Sequence, residues 1–67
     1  MDYPKITLEA ARVNAHLKQK EAAKKLGIAP VTLASYEKGK ITPRLDMLEK
    51  ISELYRFPAA LISFPTH

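Results

Sequence analysis

Residues 19–38 have the sequence QKEAAKKLGIAPVTLASYEK, which is the clearest structural signal in the chain. It predicts a helix, a turn of about three residues, and a second helix that begins at Pro30 and ends near Lys38. Gly27 ends the first helix, because glycine adopts the left-handed backbone conformation without a Cβ penalty. Pro30 suits the first position of the second helix, where a backbone N–H is not needed.

The two helices have apolar faces that fit a tight pair. Ala22, Ala23 and Leu26 form the inner face of the first helix, and the methyl side chains of the two alanines allow close approach. Leu33 lies on the inner face of the second helix, which Gly39 ends. This is a helix-turn-helix arrangement, whose second helix can enter the DNA major groove. Short helical hairpins are common, so the pair alone does not decide the function.

A further helix is predicted upstream of this pair. Thr7 is a good N-cap residue, and the helix continues to about Asn14 or Ala15. One face of it carries side chains at intervals of three and four, namely Leu8, Ala11, Arg12 and Ala15. An arginine in an otherwise apolar stripe requires an explanation.

Two more helices are predicted downstream. Thr42 and Pro43 provide an N-cap and a first position for a fourth helix, whose apolar stripe is Leu45, Leu48, Ile51 and Leu54. Pro58 begins a short fifth helix over residues 59–61. We expect residues 1–67 to form one domain with its core at 6–62. The ends, 1–6 and 62–67, are expected to be extended, and residues 3–6 and 62–64 could pair as a small ribbon.

The length of 67 residues excludes most enzyme classes, since TIM barrels and Rossmann domains are much longer. A hydrophobic fraction of 46% and a charged fraction of 27% are typical of a globular domain. The absence of cysteine excludes disulfides and thiolate metal sites. No apolar run approaches the roughly 20 residues of a membrane span, and the N-terminus lacks a signal-peptide pattern. We therefore expect a cytoplasmic protein.

The positive charge is concentrated in the middle of the chain. The net charge is +4, yet residues 12–44 alone contain eight basic and two acidic residues. The segments on either side, 1–11 and 45–67, are each slightly acidic. Such a block is expected of a face that binds a polyanion. On charge alone, an ordinary solvated surface explains it equally well.

The motif residues resemble a known family. The segments QKEAAKKLGI (19–28) and TLASYEKGK (32–40), followed by Pro43, are similar to the Cro/C1-type (XRE) helix-turn-helix family, and the resemblance covers about residues 6–62. It implies an all-α, compact five-helix, lambda-repressor-like DNA-binding domain, with the helix-turn-helix at its second and third helices. It also implies a sequence-specific regulator of transcription, a repressor of the phage or mobile-element type.

The resemblance explains the arginine in the first helix. In this family an arginine there pairs with a glutamate at the end of the recognition helix, which here are Arg12 and Glu37. Only the planar guanidinium matches a carboxylate with two parallel hydrogen bonds. A surface ion pair worth roughly 0–1 kcal/mol is the alternative.

The resemblance also implies which residues contact DNA. Those expected at the phosphates are Lys18, Gln19, Thr32, Lys38, Lys40 and Arg44. Those expected at the bases are Pro30, Val31, Ala34 and Ser35, with Thr32 suited to either role. None of the base-reading residues can make the bidentate contact of Arg to guanine or Gln to adenine. This departure from family members that begin the helix with Gln leaves the target sequence open.

Because members of the family usually bind as dimers, the resemblance also implies a homodimer on inverted half-sites of double-stranded DNA. The candidate interface residues are Tyr55, Phe57, Leu61, Ile62 and Phe64. Burial of all five in the core is an equally good interpretation, and an interface role is most plausible for Ile62 and Phe64. Tyr36 and Tyr55 are expected in the core or at its edge.

Other function classes find less support. A protein-interaction module, such as an antitoxin or an accessory factor, is the main alternative, although it would not need the basic block. No catalytic group, cofactor or small-molecule ligand is expected. His16 and His67 lie far in the sequence from other metal ligands, so no metal is expected. Glu49 and Glu53 are interpreted as part of a solvated helix face. A membrane-surface helix is disfavoured because the basic residues are spread over three helices.

Overall fold

A computed structural model describes residues 5–64 of the chain. In chain order its elements are β1 (Ile6–Thr7), α1 (Leu8–Asn14), α2 (Gln19–Leu26), α3 (Pro30–Lys38), α4 (Leu45–Tyr55), a 3-10 turn (Ala59–Leu61) and β2 (Ile62–Ser63). The all-α, helix-turn-helix architecture is confirmed. The count of five helices needs correction. Within the described residues there are four α-helices, and the predicted fifth is a single 3-10 turn of three residues.

The helix ends of the first three helices agree with the sequence prediction. The Thr7 hydroxyl accepts a hydrogen bond of 3.0 Å from the backbone N–H of Ala10, which caps α1. Gly27 and Gly39 end α2 and α3 in the left-handed conformation, at φ 75° and 78°. Pro30 is the first residue of α3. These signals are local, because each depends on backbone chemistry within one helical turn.

The start of α4 differs from the prediction. The helix begins at Leu45 with Arg44 at the N-cap, two residues later than the predicted N-cap Thr42 and first position Pro43. Pro43 is buried, so it serves as a packing residue of the loop. The first backbone bond of the helix runs from the Leu48 N–H to the Arg44 carbonyl, at 2.9 Å. Burial of the proline ring thus keeps the loop extended beyond the point where local capping would start a helix.

α4 carries the predicted apolar stripe except at the first residue of that stripe. Ile51 and Tyr55 are its buried residues, and Leu45 is 71% exposed. At about 100° per residue, Leu45 lies about 120° around the helix from Ile51. Leu54 packs against the core and Leu48 is half-buried, so Leu45 is the residue of the predicted stripe that lies off the inner face.

The chain ends meet beside the helices. Ile6 pairs with Ile62 and Thr7 with Ser63 in a two-stranded parallel ribbon. The pairing expected of the two ends is confirmed for these residues, whereas residues 3 and 4 of the prediction lie outside the described part. The ribbon closes the core next to α1.

The core lies between the four helices and the ribbon. Its buried apolar residues are Leu8, Ala11, Ala22, Ala23, Leu26, Leu33, Ile51, Tyr55 and Ile62. Arg12 is the charged residue buried among them. In the part of the chain that the structure describes, no helix is long and apolar enough to cross a membrane.

Candidate nucleic-acid interface

The α2–α3 pair is rigidly joined. Ala22, Ala23 and Leu33 are completely buried, so the two helices approach closely through small side chains. The Ile28 N–H donates to the Ala23 carbonyl at 3.0 Å across the left-handed Gly27, which closes the end of α2. The direction of α3 is therefore set by backbone geometry as well as by packing.

Arg12 and Glu37 are in contact inside the protein. Arg12 Nε donates to Glu37 Oε2 at 2.8 Å, and Arg12 Nη2 lies 3.5 Å from Glu37 Oε1. Their side chains are 11% and 4% exposed, which is far from the surface pair considered as an alternative. Arg12 Nη1 also donates to the carbonyl of Leu17 at 2.8 Å. One guanidinium thus ties α1 to α3 and to the loop before α2.

The pair keeps its arginine charged. The hydrogen bond to Glu37 raises the pKa of Arg12 above its ordinary value, against the opposing effect of burial. A permanently charged guanidinium is suited to hold an almost buried carboxylate.

Gln19 is a third member of this network. Its amide Nε2 donates to Glu37 Oε1 at 2.9 Å. The family resemblance implied a phosphate contact for Gln19, and the bond to Glu37 was not expected. The partners lie 18 positions apart on different helices, so no local pattern could have revealed it.

Tyr55 lies next to the same charges. Its ring is buried, and its hydroxyl has no hydrogen-bond partner among the residues that the structure describes. Burial raises the pKa of Tyr55 to about 12; the charge of Glu37 adds to this, and Arg12 opposes it. The sequence placed Tyr55 in the core, but the orphaned hydroxyl depends on the tertiary packing.

The first two residues of α3 are exposed to solvent. Pro30 and Val31 are exposed, Val31 at 70%. Thr32, Ala34 and Ser35 are half-buried along the same helix. The residues expected at the bases therefore form an outer edge with two apolar groups at its tip and smaller side chains behind them.

Basic side chains surround this edge in the sequence. Within residues 12–44, all of which the structure describes, the exposed basic residues are Lys18, Lys20, Lys24, Lys25, Lys38, Lys40 and Arg44. Arg12 and Glu37 neutralise one another inside the protein, so Glu21 is the exposed acid of this segment. The surface of the middle segment is thus strongly positive.

Glu21 has a structural partner at the start of α2. Its carboxylate accepts a hydrogen bond of 3.1 Å from the Lys18 backbone N–H, which is one half of a capping box. Within the described residues the Lys18 side chain makes no capping bond, and an ammonium group has no lone pair with which to make one. The N-terminal N–H groups of α2 are therefore available to an anion.

The predicted interface residues at the C-terminal end are largely internal. Ile62 is 5% exposed and pairs with Ile6, so the expected interface role of Ile62 is wrong. Tyr55 is buried as well, and Phe57, Leu61 and Phe64 are half-buried. Ile62 is held by the ribbon beside α1, and Tyr55 is buried in the core. Large apolar groups are instead exposed elsewhere, at Val13, Val31, Ile41 and Leu45.

Metal ligands are not gathered anywhere in residues 5–64, where no group of three His, Cys, Asp or Glu side chains could hold an ion. His67 lies outside the described residues.

Comparisons with known proteins bear on this arrangement. The family model HTH_3, described as helix-turn-helix, matches residues 8–62. The cryptic phage CTXphi transcriptional repressor RstR of Vibrio cholerae is 39% identical over 49 residues. That alignment covers 73% of this chain and 44% of the repressor, so the chain spans less than half the length of this curated relative. No solved structure matches the chain.

Proposed function

Because the chain belongs to the HTH_3 helix-turn-helix family, a family of DNA-binding regulators, we propose that it represses transcription by binding specific double-stranded DNA. The proposal extends to a phage or mobile-element origin, which the likeness to a phage repressor supports. The observation that carries it is the exposed start of α3, with Pro30 and Val31 at its tip, in a strongly basic segment.

The proposed contacts fall into two groups. Phosphates bind at the start of α2, where Lys18 and the helix N-terminus attract anions, and at Lys38, Lys40 and Arg44 after α3. Bases are contacted by Val31 and its neighbours, through thymine methyl groups and the hydroxyls of Thr32 and Ser35. The action is binding without catalysis, in the cytoplasm, and repression follows from occlusion of a promoter.

Selection of bound duplexes from random DNA tests this function. We expect enrichment of a short motif, repeated in inverted orientation about one helical turn apart. Val31→Ala should change the enriched motif, whereas Val13→Ala, on the exposed face of α1, should not. If no duplex is enriched over random sequence, the proposal fails and a protein partner becomes the better explanation.

We also propose that two copies meet on the DNA through Ile41 and Leu45. These aliphatic side chains are exposed directly beside the basic residues Lys40 and Arg44. Two side chains cannot supply the about 800 Å² per partner that a stable free dimer buries, so the contact would form only when DNA holds both copies. Of the C-terminal residues first considered for this role, Tyr55 and Ile62 are buried and the other three are half-buried.

Sedimentation with one-site and two-site duplexes tests the contact. Leu45→Ser should leave binding to a single half-site unchanged and weaken the binding of the second copy by about tenfold or less. Val13→Ser is the matched control, since Val13 is 57% exposed on another helix. Equal binding of the second copy by Leu45→Ser and the unmodified protein would exclude Leu45 from the interface.

A further inference from the structure

Glu37 has a carboxylate whose two oxygens need separate donors. Its side chain is only 4% exposed, so a carboxylate oxygen that lost its protein donor would not readily gain a water molecule instead. Such a loss would destabilise the fold. Oε2 receives the 2.8 Å bond from Arg12, whereas the contact of Arg12 with Oε1 is long, at 3.5 Å. The short bond to Oε1 comes from Gln19, at 2.9 Å. Gln19 therefore completes the coordination of Glu37.

We infer that Gln19 is a positioning residue for sequence reading, which acts through Glu37 on the orientation of α3. Gln19 is the first residue of α2, and Glu37 lies in the last turn of α3. Their bond joins the start of one helix of the motif to the end of the other, opposite the Gly27 turn. The α2–α3 pair is thus closed at both ends, and the tilt of α3 in the groove is fixed. This inference rests on the proposed DNA-binding function.

Measurements on the protein without DNA test the network first. Gln19→Met removes the donor and keeps the shape, and we expect the unfolding equilibrium constant to rise about tenfold. Gln19→Glu places a second carboxylate against Glu37 and should be worse still. An acidic residue in the first turn of a helix normally stabilises, so reduced stability there is diagnostic of the contact with Glu37. Lys20→Met, at the next and exposed position, should change the constant by less than about threefold.

Measurements with DNA then test the reading role. The ratio of affinities for the selected site and for random duplex should fall in Gln19→Met by about fivefold or more, at a temperature where the variant stays folded. Lys18→Ala, which removes a phosphate contact, should weaken both affinities equally and leave this ratio unchanged.

Two results would overturn the inference. Equal weakening of both affinities with unchanged unfolding would make Gln19 a simple phosphate contact. Reduced stability with an unchanged affinity ratio would make it a purely structural residue. If the unmodified protein prefers no duplex, the proposed function itself fails; the unfolding data on Gln19→Glu would still report the Gln19–Glu37 contact separately.

Discussion

At the scale of single residues, Arg12 joins α1 both to α3 and to the loop before α2. It holds Glu37 of α3 and the Leu17 carbonyl of the loop through three of its donors. The planar guanidinium carries donors on three nitrogens and so reaches both partners at once. The single nitrogen of a lysine ammonium group is less suited to this. We therefore regard it as the joint between α1 and the helix-turn-helix.

Replacement of Arg12 tests this joint. Arg12→Ala should lower the free energy of unfolding by about 3–5 kcal/mol, because it leaves a nearly buried carboxylate without its cation. Arg12→Lys should lose less, and Arg56→Ala, at an exposed arginine, about 0.5 kcal/mol or less. Urea unfolding measures all three. A loss for Arg12→Ala as small as that for Arg56→Ala would show that the pair adds nothing to the fold.

Tyr55 gives a prediction about pH. Its pKa is raised to about 12 in the folded protein, above the ordinary value of about 10 in an unfolded chain. As the pH rises, the unfolded chain therefore releases the phenolic proton at a lower pH than the folded protein does. The full stability is retained below pH 10 and is lost as the pH rises toward 12, by about 1.4 kcal/mol per unit.

Tyr55→Phe isolates this effect. At pH 7 the variant should be as stable as the unmodified protein or up to about 1 kcal/mol more stable, because a buried hydroxyl with no partner among the described residues is removed. Between pH 9 and 11 the unmodified protein should lose about 1 kcal/mol more than the variant in urea unfolding. If the free energies of unfolding of the two proteins changed equally between pH 9 and 11, the Tyr55 hydroxyl would have to be in contact with water.

At the scale of one element, the start of α2 combines a poor cap with an exposed cation. Lys18 occupies the N-cap, where serine or threonine would satisfy the N–H groups of the first turn. The same N–H groups and the Lys18 charge are suited to a phosphate. Stability and DNA binding therefore favour different residues at this position.

Two substitutions of Lys18 separate these demands. Lys18→Ser should be about 1 kcal/mol more stable than Lys18→Ala, because a hydroxyl completes the capping box that Glu21 begins. Both should bind DNA more weakly than the unmodified protein, since both lack the charge. Thermal unfolding and a binding titration give the two quantities. If Lys18→Ser and Lys18→Ala had equal thermal stability, the N–H groups of the first turn of α2 would have to be capped by another group.

At the scale of the whole molecule, charge and shape have separate roles. The seven exposed basic residues of the middle segment lie before and after residues 30–36 in the chain, and this part of α3 itself carries no charge. Positive charge on this surface attracts any duplex, whereas the edge of α3 can distinguish sequences. The two contributions should respond differently to salt.

The salt dependence of binding tests this division. The logarithm of affinity should fall linearly with the logarithm of salt concentration, with a slope near −0.9 for each phosphate neutralised. Lys40→Ala or Arg44→Ala should reduce this slope by about 1 for each phosphate that the variant no longer neutralises, equally for all sequences. Val31→Ala or Ser35→Ala should leave the slope unchanged and alter the preferred sequence, by at most about 1 kcal/mol per half-site.

The opposite pattern would contradict this assignment. If Lys40→Ala changed the base preference while Val31→Ala and Ser35→Ala changed neither affinity nor preference, α3 would not be the reading helix. The basic residues would then serve another partner.

The sequence alone determined the elements that depend on neighbours within one helical turn. Thr7, Gly27, Pro30 and Gly39 each act on the backbone at their own position, so the ends of α1, α2 and α3 follow from them. The helix-turn-helix can therefore be predicted from the sequence without a structure. The roles of the candidate DNA contacts, by contrast, came from a family resemblance and stay predictions.

Features that depend on groups far apart in the chain became visible only in the folded structure. The burial of Pro43 moved the start of α4, and the packing around Ile51 turned Leu45 outward. Gln19 donates to Glu37 from 18 positions away, which no sequence signal indicated, whereas the pairing of Glu37 with Arg12 was implied by the family resemblance. Local preferences act over a few residues, whereas burial and charge pairing act through space, and the folded chain alone brings Gln19 and Arg12 to one carboxylate.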